Sequence, residues 1–175
     1  ETGIMDFRSL LADMPSGIEK DLLIGEVINS EPYFTSLLQL ALYEKDPLAW
    51  RASWVLDGSD ERKPGLARKH IPQIVQALPR LESKGSLRSL LRMLTRYDIP
   101  EDEQGLLIDL CFSYLVSEQF PVAVKAHAML VIYNHVLLYP ELKNELIAVI
   151  EDQEDNNSVG FKSRGRNLIK QMEKL

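Results

Sequence analysis

A three-residue pattern recurs through this chain at a constant interval of 37 residues. Each copy consists of a large apolar residue, then a basic residue, then a small residue. The copies are Trp50-Arg51-Ala52, Leu87-Arg88-Ser89, Val124-Lys125-Ala126 and Phe161-Lys162-Ser163. A strict repeat of this length is typical of stacked helical hairpins, in which each hairpin buries its apolar side against its neighbours. The repeat therefore predicts an architecture, while it leaves the function open.

The first helix of each predicted hairpin repeats as well. Apolar residues spaced i, i+3, i+4 and i+7 form one stripe of an α-helix. The stripe comprises Phe34, Leu37, Leu38 and Ala41, then Ile71, Ile74, Val75 and Leu78, then Ile108, Cys111, Phe112 and Leu115. The fourth copy, Glu145, Ala148, Val149 and Asp152, keeps only its middle pair, as expected of a terminal repeat.

These patterns predict an all-α chain of about four hairpins. The hairpins cover residues 31–57, 66–97, 101–138 and 141–174, with second helices that begin near Pro47, Gly85, Pro121 and Ser158. Gly58-Ser59-Asp60 and other glycine-rich or asparagine-rich stretches are predicted to be loops between helices.

Residues 5–30 lie outside this register and are predicted to form an N-terminal helical cap. Pro15 would end a first short helix, and Ser16 with Glu19 forms a capping box for a second one. Such a cap covers the open apolar face of the first repeat. Residues 1–4 precede Met5 and are interpreted as a cloning remnant, so that residues 5–175 form a single repeat domain.

Composition supports a folded chain without a membrane segment. Of 175 residues, 45% are hydrophobic and 26% are charged, which is the balance of ordinary globular domains. No apolar run approaches the ~20 residues that span a bilayer, and no secretory signal is visible. The single cysteine, Cys111, has no disulfide partner in the chain, so that we expect a cytoplasmic location.

Motifs for catalysis or cofactor binding do not emerge from the sequence. The glycines are scattered and form no phosphate-binding loop. His127 and His135 are two helical turns apart, about 12 Å, which is too far for one metal ion. We therefore expect no catalytic residue, no metal and no cofactor.

Two segments resemble the core of the HEAT repeat, a family of α-helical repeat proteins. Asp46-Pro47-Leu48-Ala49-Trp50-Arg51-Ala52-Ser53-Trp54-Val55-Leu56 has the family's turn aspartate and proline, then its arginine and small residues. Phe120 to Leu130 is similar, without the aspartate. The resemblance covers about residues 31–174 and implies a right-handed α-α superhelix whose second helices line the concave face. HEAT proteins mostly serve as scaffolds for other macromolecules, which is the function that the resemblance implies.

The resemblance also implies a partner for the basic residue of the triplet. In HEAT proteins this residue commonly pairs with the turn aspartate and ties neighbouring repeats together. The aspartate is present only at Asp46, and its equivalents are Ser83, Phe120 and Asn157. Arg51 is therefore expected to be structural, whereas the other three cations lack their usual partner.

Further cations extend this column, although the chain carries a net charge of −6. Lys84, Arg88, Arg92 and Arg96 follow one another at i, i+4 spacing. We predict a basic partner-binding surface on the second helices, composed of Arg51, Lys84, Arg88, Arg92, Arg96, Lys125, Lys162, Arg164 and Arg166. Its partner would be a protein or acidic peptide, or alternatively nucleic acid.

Other interpretations remain open at this point. Acidic first helices and basic second helices could simply neutralise each other, which would leave a scaffold without a charged groove. Some HEAT-like proteins excise alkylated DNA bases, and Trp50, Trp54 and Asp57 superficially suggest such a site. A third alternative is a structural protein that assembles with itself. The leading expectation is a non-enzymatic binding scaffold.

Overall fold

The computed structural model describes residues 5–13 and 16–175, and the predicted helix stop at Pro15 lies outside them. Within these residues the regular structure is entirely helical, in ten α-helices and three short 3-10 turns. The helices are α1 Phe7–Ala12, α2 Gly17–Val27, α3 Glu31–Tyr43, α4 Leu48–Arg62, α5 Ile71–Ala77, α6 Lys84–Leu94, α7 Glu101–Val116, α8 Val122–Val136, α9 Leu142–Gln153 and α10 Val159–Glu173. The predicted starts of the second helices are thereby confirmed to within one residue.

The chain divides into two compact units, one up to Met93 and one from Leu94 onward. In the first unit α3 packs against α4, and both contact α1 and α2. The predicted capping box at the start of α2 is present. The Ser16 hydroxyl accepts a hydrogen bond from the Glu19 amide (3.5 Å) and donates one to the Glu19 carboxylate.

The predicted apolar stripes form the core of this unit. Phe34, Leu37, Leu38 and Ala41 of α3 are at most 1% exposed, and the equivalent residues at positions 71, 74 and 75 of α5 and at position 78 just after it are also buried. Two 3-10 turns, Arg68–His70 and Leu78–Arg80, flank the short helix α5. The second turn contains Pro79, which has no amide hydrogen and cannot continue the helical ladder.

The predicted loop at Gly58-Ser59-Asp60 is wrong, because α4 continues to Arg62. The glycine lies where α2 approaches closely, and a Cβ there would stand 2.6 Å from Ile24 Cδ1. Ser59 Oγ donates to the Val55 carbonyl (2.7 Å), and Asp60 accepts from the Ala67 amide (3.1 Å). These three residues are small or polar because of their packing and hydrogen bonds, and not because the helix ends.

In the second unit α7 packs against α8, and α8 also contacts α9 and α10. Cys111 and Leu115 of the third stripe are fully buried, while Ile108 and Phe112 are half-buried. The prediction for the fourth stripe is wrong, because its middle pair is not the buried pair of this helix. Leu146 and Ile150 of α9 are fully buried, whereas Ala148 is exposed and Val149 is half-buried.

Candidate partner-binding surface

The basic residue of the triplet lies in the first turns of each second helix. Arg51, Lys125 and Lys162 are each the fourth residue of their helix, and Arg88 is the fifth residue of α6. Helical side chains lean toward the N-terminus, so that each cation reaches toward the start of its own helix. What it meets there differs from copy to copy.

Arg51 is a structural contact, although its partner is not the expected turn aspartate. Its guanidinium donates to the carbonyl oxygens of Leu11 (2.8 Å) and Ala12 (2.9 Å) at the end of α1. This places a positive charge at the negative end of a helix. Asp46 instead accepts a hydrogen bond from the Trp50 amide (3.1 Å), so that its carboxylate caps α4.

The basic stripe on α6 is partly neutralised within the chain. Arg92 contacts Glu61 (2.6 Å) and Asp57 (2.7 Å), two carboxylates of α4. The hydrogen bonds that Arg92 donates to Glu61 and Asp57 raise the pKa of its guanidinium. Arg92 is therefore held by α4, and Lys84 also makes contacts within the chain.

The other two arginines of that stripe, Arg88 and Arg96, behave differently from Arg92. Arg88 is exposed, and within the described residues no ion pair involves it. Arg96 lies beyond the end of α6 at Leu94, which corrects the prediction of one continuous helical stripe. It is exposed and also makes contacts within the chain. Arg88 is thus the member of this stripe that is most available to a partner.

Lys125 lies in the interior and not on the predicted surface. Its residue is 4% exposed, because α8 is packed against α7, α9 and α10. Its Nζ donates to Gln153 Oε1 at 3.4 Å, a long hydrogen bond to an uncharged acceptor. Lys125 is therefore not part of an exposed basic surface.

Cations accumulate on α10, which carries Glu173 as its one acidic residue. Lys162 is half-buried, whereas Arg164 is exposed. Arg166 Nε lies 3.4 Å from Glu154 Oε1. The exposed Lys170 and Lys174 do not belong to the predicted surface, although their i, i+4 spacing is visible in the sequence. Lys162, Arg166, Lys170 and Lys174 follow one another at i, i+4 and form what we call the α10 stripe.

The aromatic pair of α4 is half-buried and already covered by cations. The rings of Trp50 and Trp54 are 5.9 Å apart, and Lys20 Nζ lies 4.3 Å from the centre of the Trp54 ring. The Arg51 guanidinium lies 5.5 Å from the centre of the Trp50 ring. Asp57, which a base-excision mechanism would need as a free carboxylate, is 6% exposed and bound to Arg92. This arrangement gives no support to the base-excision alternative.

The remaining polar groups do not gather into a metal or nucleophile site. No cluster of three or more potential metal ligands occurs in residues 5–13 and 16–175. Burial raises the pKa of the fully enclosed Cys111 thiol, which keeps it protonated and unreactive. His135 Nδ1 donates to the Val131 carbonyl (2.8 Å). In the same part of the chain, no helix has both the length and the apolarity that crossing a bilayer requires.

Consecutive, pairwise packed helices at a 37-residue interval define an α-helical repeat protein. Residues 8–172 match the model of the HEAT repeat domain, and the chain belongs to this family. HEAT repeat domains generally act as protein-interaction scaffolds and are typically not catalytic. No curated protein and no solved structure matches the chain.

Proposed function

We propose that this protein is a non-enzymatic scaffold that binds an acidic protein or peptide through the α10 stripe. The observation that supports the proposal is the charge of this helix. Its exposed face carries Lys170 and Lys174 one turn apart, with Arg166 one turn before them. Like charges at this spacing repel each other, so that an acidic partner would relieve an existing strain.

The net charge of −6 favours an acidic protein over nucleic acid as the partner. A nucleic acid extends well beyond one helix, and its phosphates would meet the acidic remainder of the surface. A short acidic segment can be matched by the α10 stripe alone. Arg88 and Arg164 belong to the wider predicted surface and would add to binding if the partner reaches them.

The test is a titration of fluorescein-labelled polyglutamate peptide, followed by fluorescence anisotropy at physiological ionic strength. The double variant Lys170→Glu, Lys174→Glu should weaken binding by about tenfold, since each reversal removes one attraction and adds one repulsion. Both residues are exposed, so that helicity should not change.

The matched control is Lys45→Glu, Arg80→Glu, which changes the net charge equally at two exposed positions of the first unit. The affinity of this control variant for the polyglutamate peptide should stay close to that of the unmodified protein. Equal weakening by the two double variants would show a general charge effect and contradict the proposal. Tighter binding of a DNA duplex than of the peptide would favour nucleic acid instead.

Two further parts of the proposal have their own tests. The alternative of self-assembly stays a prediction, which light scattering of the purified protein addresses directly. A cytoplasmic location is suggested by the lone cysteine, which is buried and takes no part in a disulfide. Localisation of a tagged full-length protein would test it.

A further inference from the structure

A pocket of about 440 Å³ in the second unit contains the buried Lys125. Glu118, Gln153, Asn156 and Asn157 supply the rest of its polar wall, and in the part of the chain that the structure describes no ion pair joins Glu118 to Lys125. The ammonium group carries three N–H bonds, and Gln153 is its only hydrogen-bond acceptor within the described residues. A buried ammonium without a counter-charge is costly, so that an anion in this pocket would be strongly favoured.

The turn positions equivalent to Asp46 carry no carboxylate in this part of the chain. Phe120 and Asn157 occupy the two turn positions equivalent to Asp46, and both line this pocket. Asn157 Nδ2 donates to the Gln153 carbonyl (2.7 Å), which fixes it as part of the wall. The chain therefore has a pocket with amide and aromatic side chains where a HEAT repeat of the common pattern would place a carboxylate.

The start of α8 adds backbone donors to the same pocket. Pro121 and Val122 line it, and no side chain caps this 15-residue helix. Within the described chain the amides of Val122 and Ala123 have no hydrogen-bond acceptor. Such amides and the positive end of the helix dipole favour an anion.

We propose that this pocket binds the carboxylate of a ligand that also carries an apolar group. The single ammonium can neutralise one negative charge, whereas Glu118 on the wall repels any anion and repels a dianion such as hydrogen phosphate more strongly. Val116 and Phe120 supply an apolar side for the rest of the ligand. The ligand class includes a free aliphatic acid and a peptide that ends in an apolar residue. This site is separate from the α10 stripe and does not depend on the proposed function.

The experiment follows amide NMR spectra of the full chain during titration with four probes. N-acetyl-leucine represents a peptide carboxyl terminus, and isocaproate represents a free acid. N-acetyl-leucinamide lacks the charge, and inorganic phosphate lacks the apolar group. Either carboxylate should shift the Val122 and Ala123 amides in a saturable way. The carboxylate probe that binds more tightly shows whether the ligand is a peptide carboxyl terminus or a free acid. Equal binding of the leucinamide or of phosphate would overturn the proposal.

Two variants locate the site. Lys125→Met removes the ammonium group, keeps most of the side-chain volume and should weaken carboxylate binding by about 10- to 100-fold, the loss expected for one charged hydrogen bond. Asn156→Asp changes an exposed residue of the wall and should also weaken binding, even if the buried variant fails to fold. Lys170→Met, outside the pocket, should bind as the unmodified protein does. Undiminished binding in Asn156→Asp, or an equal loss in Lys170→Met, would overturn the assignment.

Discussion

Replacement of Gly165 by alanine tests how closely α10 packs against α8 and α9 in the second unit. This buried glycine lies in the middle of α10, and an added Cβ would stand 2.6 Å from Ile150 Cγ2 and 3.7 Å from Met129 Sδ. Carbon atoms are at their best separation at about 3.5–4.0 Å, so that the overlap with Ile150 is about 1 Å. Ile150 is fully buried and β-branched, and it has little freedom to turn away.

Two opposing effects set the free energy of unfolding of Gly165→Ala. Alanine is favoured over glycine in a helix interior by about 1 kcal/mol. Overpacking of a close-packed interior costs about 1–3 kcal/mol, and the upper part of that range applies because Ile150 has little freedom to move. We expect a net loss of about 1–2 kcal/mol.

The matched control is Gly105→Ala in α7 of the same unit. Gly105 is exposed, and an added Cβ would have no neighbour within 4 Å. This variant should gain about 0.5–1 kcal/mol. Urea unfolding followed by circular dichroism gives both values, and the midpoints should move in opposite directions. A Gly165→Ala variant as stable as the Gly105→Ala variant would refute the close approach of α10.

Three other perturbations test contacts of the first unit. Burial, and secondarily the charge of a neighbouring lysine, lower the pKa of His70. The unfolded chain therefore binds more protons than the folded chain below pH ~6.5, and the free energy of unfolding falls as the pH falls through that region. The variant His70→Gln should flatten this pH dependence in urea titrations. Arg92→Met removes the contacts to Asp57 and Glu61 and should cost about 1–3 kcal/mol, much of which Asp57→Asn should recover in a double-mutant cycle. Ser86 Oγ lies within 3.0 Å of two buried carbonyl oxygens, and Ser86→Ala should cost about 1–2 kcal/mol by thermal unfolding, whereas no loss would show that water replaces the hydroxyl.

Periodicity was sufficient to predict the helices, because apolar spacing reports directly on which side of a helix is buried. Periodicity failed where small and polar residues inside a helix have the composition of a loop. Gly58 and Ser59 have the composition of a loop, yet they lie within α4 because α2 approaches closely there. The register of α9 was missed for a different reason. Leu146 and Ile150 are the buried pair of this helix, whereas the fixed interval of 37 residues predicts Ala148 and Val149.

The charged surface was harder to predict than the fold. A sequence shows that Arg92 is basic, but not that two carboxylates of α4 lie within 2.7 Å of it. Contacts of this kind join residues about thirty-five positions apart, and no local pattern records them. The α10 stripe was partly predictable from the sequence, which shows the i, i+4 spacing of Lys162, Arg166, Lys170 and Lys174.

The basic column of the triplet shows why one repeat position need not have one role. The repeat fixes where the side chain starts, and its neighbours decide what the charge can do. Arg51 has the end of α1 within reach and donates to it. Lys162, on α10, is only half-buried and stays accessible at one edge of the α10 stripe. Lys125, enclosed by three helices, has Phe120 at its turn position, and its one hydrogen-bond acceptor among the described residues is the uncharged Gln153. Of the three, Lys125 is therefore the cation on which the proposed carboxylate site depends.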